Sequence, residues 1–457
     1  MSTARRKLFG TDGIRGAVGE EPLTPQTVTH LGWAAGRVLV GDRLPGKILI
    51  GKDTRISGYI MESALEAGLN SAGVDVGLLY TMPTPAIAYL TRTSRAGAGI
   101  VISASHNLYQ DNGIKFFTRG GAKLGDDAEA AIEKMMAQPL TMMAARHLGK
   151  TANFDGAAGR YIEFCKSTIP HRDSLEGLKL VVDCANGAAY QVAPQLLHEL
   201  GAEVVAIGDR PDGFNINQGC GSTSLGALSK AVTAHGAACG IALDGDGDRL
   251  IMVDAAGGTV DGDRLLYILA AGRHAAGGDS LGGGVVGTAM SNIGLARGLA
   301  GLGIAFARSA VGDRHVLAEL NRRGWLLGGE ASGHLICLDK NTTGDGIIAA
   351  LEVLHGMTRA GRTLAELAAA MPAVPQATVN VPLASAAAAD RVLAAGRVQD
   401  AVADAESALG EGGRVLLRPS GTQPLVRVMA EGEDAAAVQR AAGDIADAVR
   451  ESIAAVQ

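Results

Sequence analysis

No stretch of this chain approaches the unbroken apolar length of a membrane span. Its start, Met1 to Lys7, is basic but has no apolar segment behind it. A soluble, cytoplasmic protein with no membrane partner is expected. Aromatic residues make up only 4% of 457 positions, so any core must be built from Ala, Val, Leu and Ile. The five cysteines, Cys165, Cys184, Cys220, Cys239 and Cys337, are odd in number, widely spaced and without a C-x-x-C pair. That argues against a disulfide framework or a cysteine zinc site and fits reduced thiols. A basic excess is lacking too: 41 Lys and Arg stand against 47 Asp and Glu, a net charge of -6. With no long basic run, nucleic acid is not an expected partner, and single cations in loops read as local anion contacts.

What is present is the composition of an ordered globular protein, 47% hydrophobic, 19% charged and with 64 glycines. A chain of 457 residues is too long for one compact core, and three or four domains are expected. Strand-like runs (Lys47–Lys52, Gly99–Ile102, Lys179–Val182, Val204–Ile207, Gly240–Leu243, Val285–Gly287, Trp325–Leu327) alternate with helical patterns (Pro25–Leu39, Ile60–Ala72, Ser224–His235, Arg264–His274, Asp345–Met357). The alternation predicts α/β layers. Lys150–Asp155 lacks periodicity, Asp254–Gly258 reads as a turn and Pro372–Pro375 as a breaker. The division that follows is 1–153, 154–255, 256–372 and 373–457. The last part reads as a strand (Ala377–Val381), a helix (Ser385–Leu409, capped by Ser385), two strands flanking Arg418–Pro424, and a helix (Ala435–Ala454), a small α+β domain.

Chemistry is densest at Leu243-Asp244-Gly245-Asp246-Gly247-Asp248-Arg249, between two apolar runs. If the segment is extended, Asp244, Asp246 and Asp248 share a face, and three carboxylates together call for a cation. All-oxygen ligands select a hard one, magnesium or calcium. A calcium loop of the EF-hand type fails on spacing, because counting from Asp244 its sixth and twelfth positions are Arg249 and Ala255 rather than glycine and glutamate. The arginine suits a site that an anion such as phosphate also visits.

Three further loops follow strand-like runs: Ser103–Asn107, Gly328–His334 and Arg418–Thr422. Ligands of open α/β sheets bind at the carboxyl ends of strands, so four such loops predict one central cleft. Ser105-His106 could be an ordinary turn; a hydrolase elbow is disfavoured because G-x-S-x-G is absent. A phosphate-bearing serine is the sharper reading, its phosphoryl group supplying an oxygen to the metal of the aspartates. Arg418-Pro419-Ser420-Gly421-Thr422 is composed to surround a tetrahedral anion, with Arg427 in the next strand. Glu330 and Ser332 lie two apart, able to face one hydroxylated ligand, or stand in a plain turn.

These loops, in this order and at these separations, resemble the α-D-phosphohexomutase superfamily over essentially the whole chain. Lys7-Leu8-Phe9-Gly10-Thr11-Asp12-Gly13-Ile14-Arg15-Gly16 and Val101–Asn107 look most like its branch that interconverts glucosamine 6-phosphate and glucosamine 1-phosphate for UDP-N-acetylglucosamine synthesis. The resemblance implies three similar mixed α/β/α-layer domains plus a smaller C-terminal α+β domain around a central cleft. It implies one magnesium ion and a phosphoserine charged by glucosamine 1,6-bisphosphate or a hexose 1,6-bisphosphate. Carried over by motif, Ser105 is the phosphoserine, and Asp244, Asp246 and Asp248 hold magnesium with one of its oxygens. Glu330, Ser332 and His334 match the sugar loop; Arg418, Ser420, Gly421, Thr422 and Arg427 match the phosphate clamp. Arg15 and Arg249 match basic residues of the cleft. Lys115 matches a lysine near the reacting oxygen. Amid other cations its pKa is expected to fall, which makes it the leading general base, with His106 second. A monomer or homodimer is expected.

The chain departs from the family pattern at Leu108 for proline, Gln423 for glutamate, Ala331 for the glutamine of glucosamine mutases and Ala310 for a lysine of some members. A mutase for glucose or mannose phosphates, or a non-catalytic phosphosugar or metal sensor on the same fold, are the rival readings.

Overall fold

The computed structural model describes residues 8–10, 12–41, 46–170, 174–383, 389–419 and 425–456. Four sheets follow one another along the chain. The first has six strands in the order Ile14–Ala17, Asp111–Thr118, Ala98–Ile102, Lys47–Lys52, Asp75–Thr81, Thr151–Asn153. The second orders Thr259–Val260, Leu250–Asp254, Cys239–Leu243, Lys179–Asp183 and Glu203–Ile207. The third orders Ala305–Ser309, Gly284–Thr288, Leu327–Gly329 and Leu335–Cys337. Each mixes a parallel centre with an antiparallel hairpin at one side. The last sheet, Gln376–Pro382, Leu425–Glu431 and Arg414–Pro419, is wholly antiparallel. Three mixed α/β layers and a smaller α+β unit are the architecture expected.

Local chemistry places the helices. Thr24 caps Pro25–Leu39 with its hydroxyl on the Thr27 N–H, and proline at the first position has the φ a helix needs. Asp345 caps Gly346–Ala360 with its carboxylate on the N–H groups of Ile347 and Ile348. The strand Ala98–Ile102, between Asp111–Thr118 and Lys47–Lys52 and covered on both faces, is buried throughout. One apolar cluster runs through the first three sheets, from Leu49 and Ile87 through Leu180 and Ile241 to Leu266 and Leu351. The C-terminal unit keeps its own, built around Val381, Val428 and Ile445.

Three expectations are corrected. The helix Ser385–Leu409 is two helices among the described residues, Ala389–Leu393 and Gly396–Leu409, parted at Ala394 and Ala395; Ser385 lies outside the described residues. The strand expected at Trp325–Leu327 starts later, at Leu327–Gly329. Arg418 is not in a loop but near the end of the strand Arg414–Pro419.

Candidate active site

The aspartate motif is not extended. Cys239–Leu243 and Leu250–Asp254 form an antiparallel hairpin with Leu243 opposite Leu250, and the motif is its turn, with Gly247 at φ 72°. The turn, rather than strand alternation, gathers the carboxylates: ligand atoms of Asp244, Asp246 and Asp248 lie within 4.8 Å of one another. All three residues are buried, and Oδ1 of both Asp246 and Asp248 has no hydrogen-bond partner. Buried, unpaired carboxylate oxygens facing one another are what a hard cation satisfies, so the donor set fits magnesium. Burial, then the charges of Asp248 and Asp246, pushes the Asp244 carboxyl well above its ordinary value.

Ser105 reaches this turn from the end of Ala98–Ile102. Its Oγ donates to Asp244 Oδ2 at 2.6 Å, and its backbone is left-handed, φ 52°. His106 Nδ1 is 3.4 Å from the same Oγ. Burial, then Arg249 and Arg15, lowers its pKa to about 4, which leaves the imidazole neutral near pH 7. Thr84 donates to Asp246 at 2.6 Å.

Lys115 rises from the strand Asp111–Thr118 beside Ser105. Its Nζ lies 2.9 Å from Asp246, 3.1 Å from Asp12 and 3.8 Å from Asp248. The expectation of a lowered pKa is wrong here. Burial acts to lower it, but Asp12, Asp246 and Asp248 outweigh burial, and the ammonium is held well above the ordinary lysine value. In this arrangement Lys115 is a cation paired with the aspartates.

Beyond it runs a chain of charges that the sequence reading missed. Asp12 pairs with Arg15 at 2.5 Å and with Lys123 at 2.6 Å, and Lys123 also pairs with Asp313 of the third unit. His334 lies between Asp248 and Asp313, each 3.6 Å from one ring nitrogen. Burial opposes its charge, but Asp248 and then Asp313 raise the imidazole above its usual pKa. Asp12 stands in the segment Lys7–Gly16, three residues before Arg15, a spacing compatible with a salt bridge. Lys123 and Asp313 carry no local signal, since their meaning comes only from each other.

The loop expected to contact the sugar is a turn between Leu327–Gly329 and Leu335–Cys337, closed by the Gly333 N–H on the Glu330 carbonyl at 2.9 Å. Glu330 Oε1 accepts from the Gly312 N–H at 2.9 Å, and its charge is felt by Arg249 and Arg418. Ser332 is exposed at the tip. Arg418 and Arg427 are direct partners on neighbouring strands, and Nε of each is buried without a hydrogen bond. Like charges directly opposite repel, and an anion between them would remove both defects. Burial, then Arg427, lowers the Arg418 pKa. Ser420, Gly421 and Thr422 lie outside the described residues.

Comparison with known proteins agrees along the whole chain. The phosphoglucomutase/phosphomannomutase models for α/β/α domains I, II and III match residues 6–141, 159–258 and 261–374, and that for the C-terminal domain matches 379–448. A phosphoglucosamine mutase of Thioalkalivibrio sulfidiphilus is 58% identical over 445 residues, 97% of this chain and 98% of that protein. One from Thiobacillus denitrificans is 56% identical over 456 residues, 98% of each chain. The crystal structure of a phosphoglucomutase/phosphomannomutase family protein from Burkholderia thailandensis superposes with a TM-score of 0.81 at 26% identity, covering 97% of both chains. The fold is also that of Aspergillus fumigatus N-acetylphosphoglucosamine mutase, solved with GlcNAc-6P and magnesium, at a TM-score of 0.68, 18% identity and coverage of 98% and 96%. The chain belongs to the phosphoglucomutase/phosphomannomutase family, among its phosphoglucosamine mutases.

Proposed function

We infer that this chain interconverts glucosamine 6-phosphate and glucosamine 1-phosphate through a phosphorylated Ser105 and a glucosamine 1,6-bisphosphate. It would work in the cytoplasm and feed UDP-N-acetylglucosamine synthesis. The observation that carries the reading is Ser105 Oγ, 2.6 Å from Asp244 in a site that also holds Lys115. Relatives named for the same activity match nearly end to end.

Asp244, Asp246 and Asp248 would hold magnesium together with a phosphoserine oxygen. When bound, the ion neutralises phosphoryl charge. In the forward step a sugar hydroxyl oxygen forms a bond to phosphorus as the Ser105 Oγ–P bond breaks, and the hydroxyl proton passes to a base. In the return step the freed Ser105 Oγ forms a bond to the phosphorus of the other phosphate as its bond to the sugar oxygen breaks, and that oxygen takes the proton back from the base. Lys115 stabilises charge on the leaving seryl oxygen, because phosphoryl transfer depends on positioning and charge more than on covalent help. With Lys115 paired as a cation, the proton goes to His106, whose imidazole is neutral near pH 7 and whose Nδ1 lies 3.4 Å from the Ser105 Oγ. Arg418 and Arg427 clamp the phosphate that does not react, with Ser420, Gly421 and Thr422; Glu330 and Ser332 contact sugar hydroxyls in both orientations. A hexose or glucosamine 1,6-bisphosphate recharges Ser105.

The test is intact-mass analysis after incubation with glucose 1,6-bisphosphate, with the added phosphate mapped, beside turnover of glucosamine, glucose and mannose phosphates. Phosphate on Ser105 and fastest turnover of glucosamine 6-phosphate are expected. Turnover that survives Ser105→Ala contradicts the mechanism, and absent glucosamine turnover contradicts the substrate.

A further inference from the structure

Left-handed backbone costs a residue bearing a Cβ on the order of 1–2 kcal/mol, and such strain persists where the surroundings over-determine it. At Ser105 the surroundings act on the carbonyl. Asn217 Nδ2 donates to the carbonyls of Ser105 and Asn107, 2.9 Å to each. Arg55 Nη2 donates to the same two oxygens, 3.2 Å to Ser105. The Arg55 side chain is fully buried, and its guanidinium is set by the Asp53 carboxylate, which also accepts the Arg55 N–H at 2.9 Å. Gly245 closes the socket from the aspartate turn: a Cβ there would lie 2.5 Å from the Ser105 carbonyl oxygen and 2.8 Å from Asn217 Nδ2.

We propose that Arg55 and Asn217 are positioning residues for phosphoryl transfer, holding the Ser105 turn so that its oxygen stays aimed at Asp244. A fully buried arginine with one arm, Nη1, on Asp53 and the other, Nη2, on two main-chain carbonyls is a costly way to close a turn. It is understandable if the oxygen on the opposite side of that turn must not wander. The two donors come from different sheets, Arg55 after Lys47–Lys52 and Asn217 after Glu203–Ile207. Together they fix the serine loop of the first unit against the metal turn of the second. Among the described residues neither is hydrogen-bonded to Glu330–His334 or to Arg418 and Arg427, so their loss is expected to fall on the transfer step and spare substrate binding. The inference rests on the reading of Ser105 as the phosphoryl carrier.

Asn217→Ala and Arg55→Lys are the variants; the second keeps a cation beside Asp53 but loses the two-pronged fork. Each is loaded with glucose 1,6-bisphosphate, checked for folding by its thermal transition, and measured for phosphate on Ser105, kcat and KM. Asn217→Ala is expected to accept phosphate yet lose about 10- to 100-fold in kcat at unchanged KM, the scale of a small misplacement, with a smaller loss in Arg55→Lys. Should Asn217→Ala not fold, Asn217→Ser and Arg55→Lys carry the same comparison. A folded, phosphorylated variant with wild-type kcat overturns the inference alone, as does a loss confined to KM. A wild-type chain that never carries phosphate on Ser105 overturns the inference and the reading beneath it.

Discussion

At the scale of residues the site is a balance of fixed charges. Five carboxylates, of Asp12, Asp244, Asp246, Asp248 and Asp313, face four permanent cations, Arg15, Lys115, Lys123 and Arg249. The proposed phosphoserine, near -2, and a divalent cation would enter as a pair that adds no net charge, so the surrounding ion pairs need not break to admit them. Lys115 bridges Asp12 and Asp246 at the centre of this balance. Lys115→Met is therefore expected to cut kcat by about 10²-fold or more while magnesium affinity, measured by titration calorimetry, holds or tightens as a competing cation leaves the aspartates. Weakened magnesium binding would mean that the lysine shapes the metal site instead. The aspartates were legible in the sequence because they are neighbours. The state of Lys115 was not, because Asp12 lies 103 residues before it and Asp246 131 after.

At the scale of elements, agreement with the sequence follows how openly each element shows its buried face. Pro25–Leu39 and Lys47–Lys52 coincide with their expected bounds. Asp111–Thr118 escaped notice since it is buried on both faces and its buried residues include Asn112 and Lys115, which break up the hydrophobic run. Thr84–Thr93 escaped for the opposite reason: it is buried almost all round and shows little polar face. The helix Gly262–Ala276 shows how an element sets a loop. Asp261 caps it, and a Cβ at Gly262 would lie 2.1 Å from the Glu330 carbonyl oxygen. Gly262→Ala is expected to push the sugar loop away, raising KM for the sugar phosphate and lowering Tm. Its neighbour Asp263 is buried; burial raises its pKa to about 7, against the pull of the Asn292 N–H. A folded-state value above the unfolded one gives stability that is complete below about pH 4 and is lost as pH rises through 7. At about 1.4 kcal/mol per unit the loss is at most about 4 kcal/mol. Asp263→Asn does not titrate, so calorimetry between pH 5 and pH 8 should show its Tm gaining on that of the wild type as pH rises. Parallel curves would place the titration elsewhere.

At the scale of the molecule the four units are not joined alike. The first three share an apolar cluster, which no run of sequence could disclose because its members meet only in space. The fourth has a separate core and meets the third through polar groups. Glu431 is fully buried there: its carboxylate pairs with Arg414 at 2.7 Å and accepts from the Ile293 N–H at 3.2 Å and the Gln376 side chain at 3.1 Å. The same strand carries Arg427, and its neighbour carries Arg418. Removing one partner of a fully buried ion pair costs about 3–5 kcal/mol, and less here because the Arg414 side chain is 26% exposed. Glu431→Ala would leave Arg414 and the Ile293 N–H without it, so the C-terminal unit should melt ahead of the rest as an added calorimetric transition. Because the arginines of the proposed phosphate clamp travel with that unit, KM for the sugar phosphate should rise more than kcat falls. Glu431→Gln, which can still accept hydrogen bonds, should lie between Glu431→Ala and the wild type. If all three melt in one transition with equal KM, the clamp is held by something other than this carboxylate.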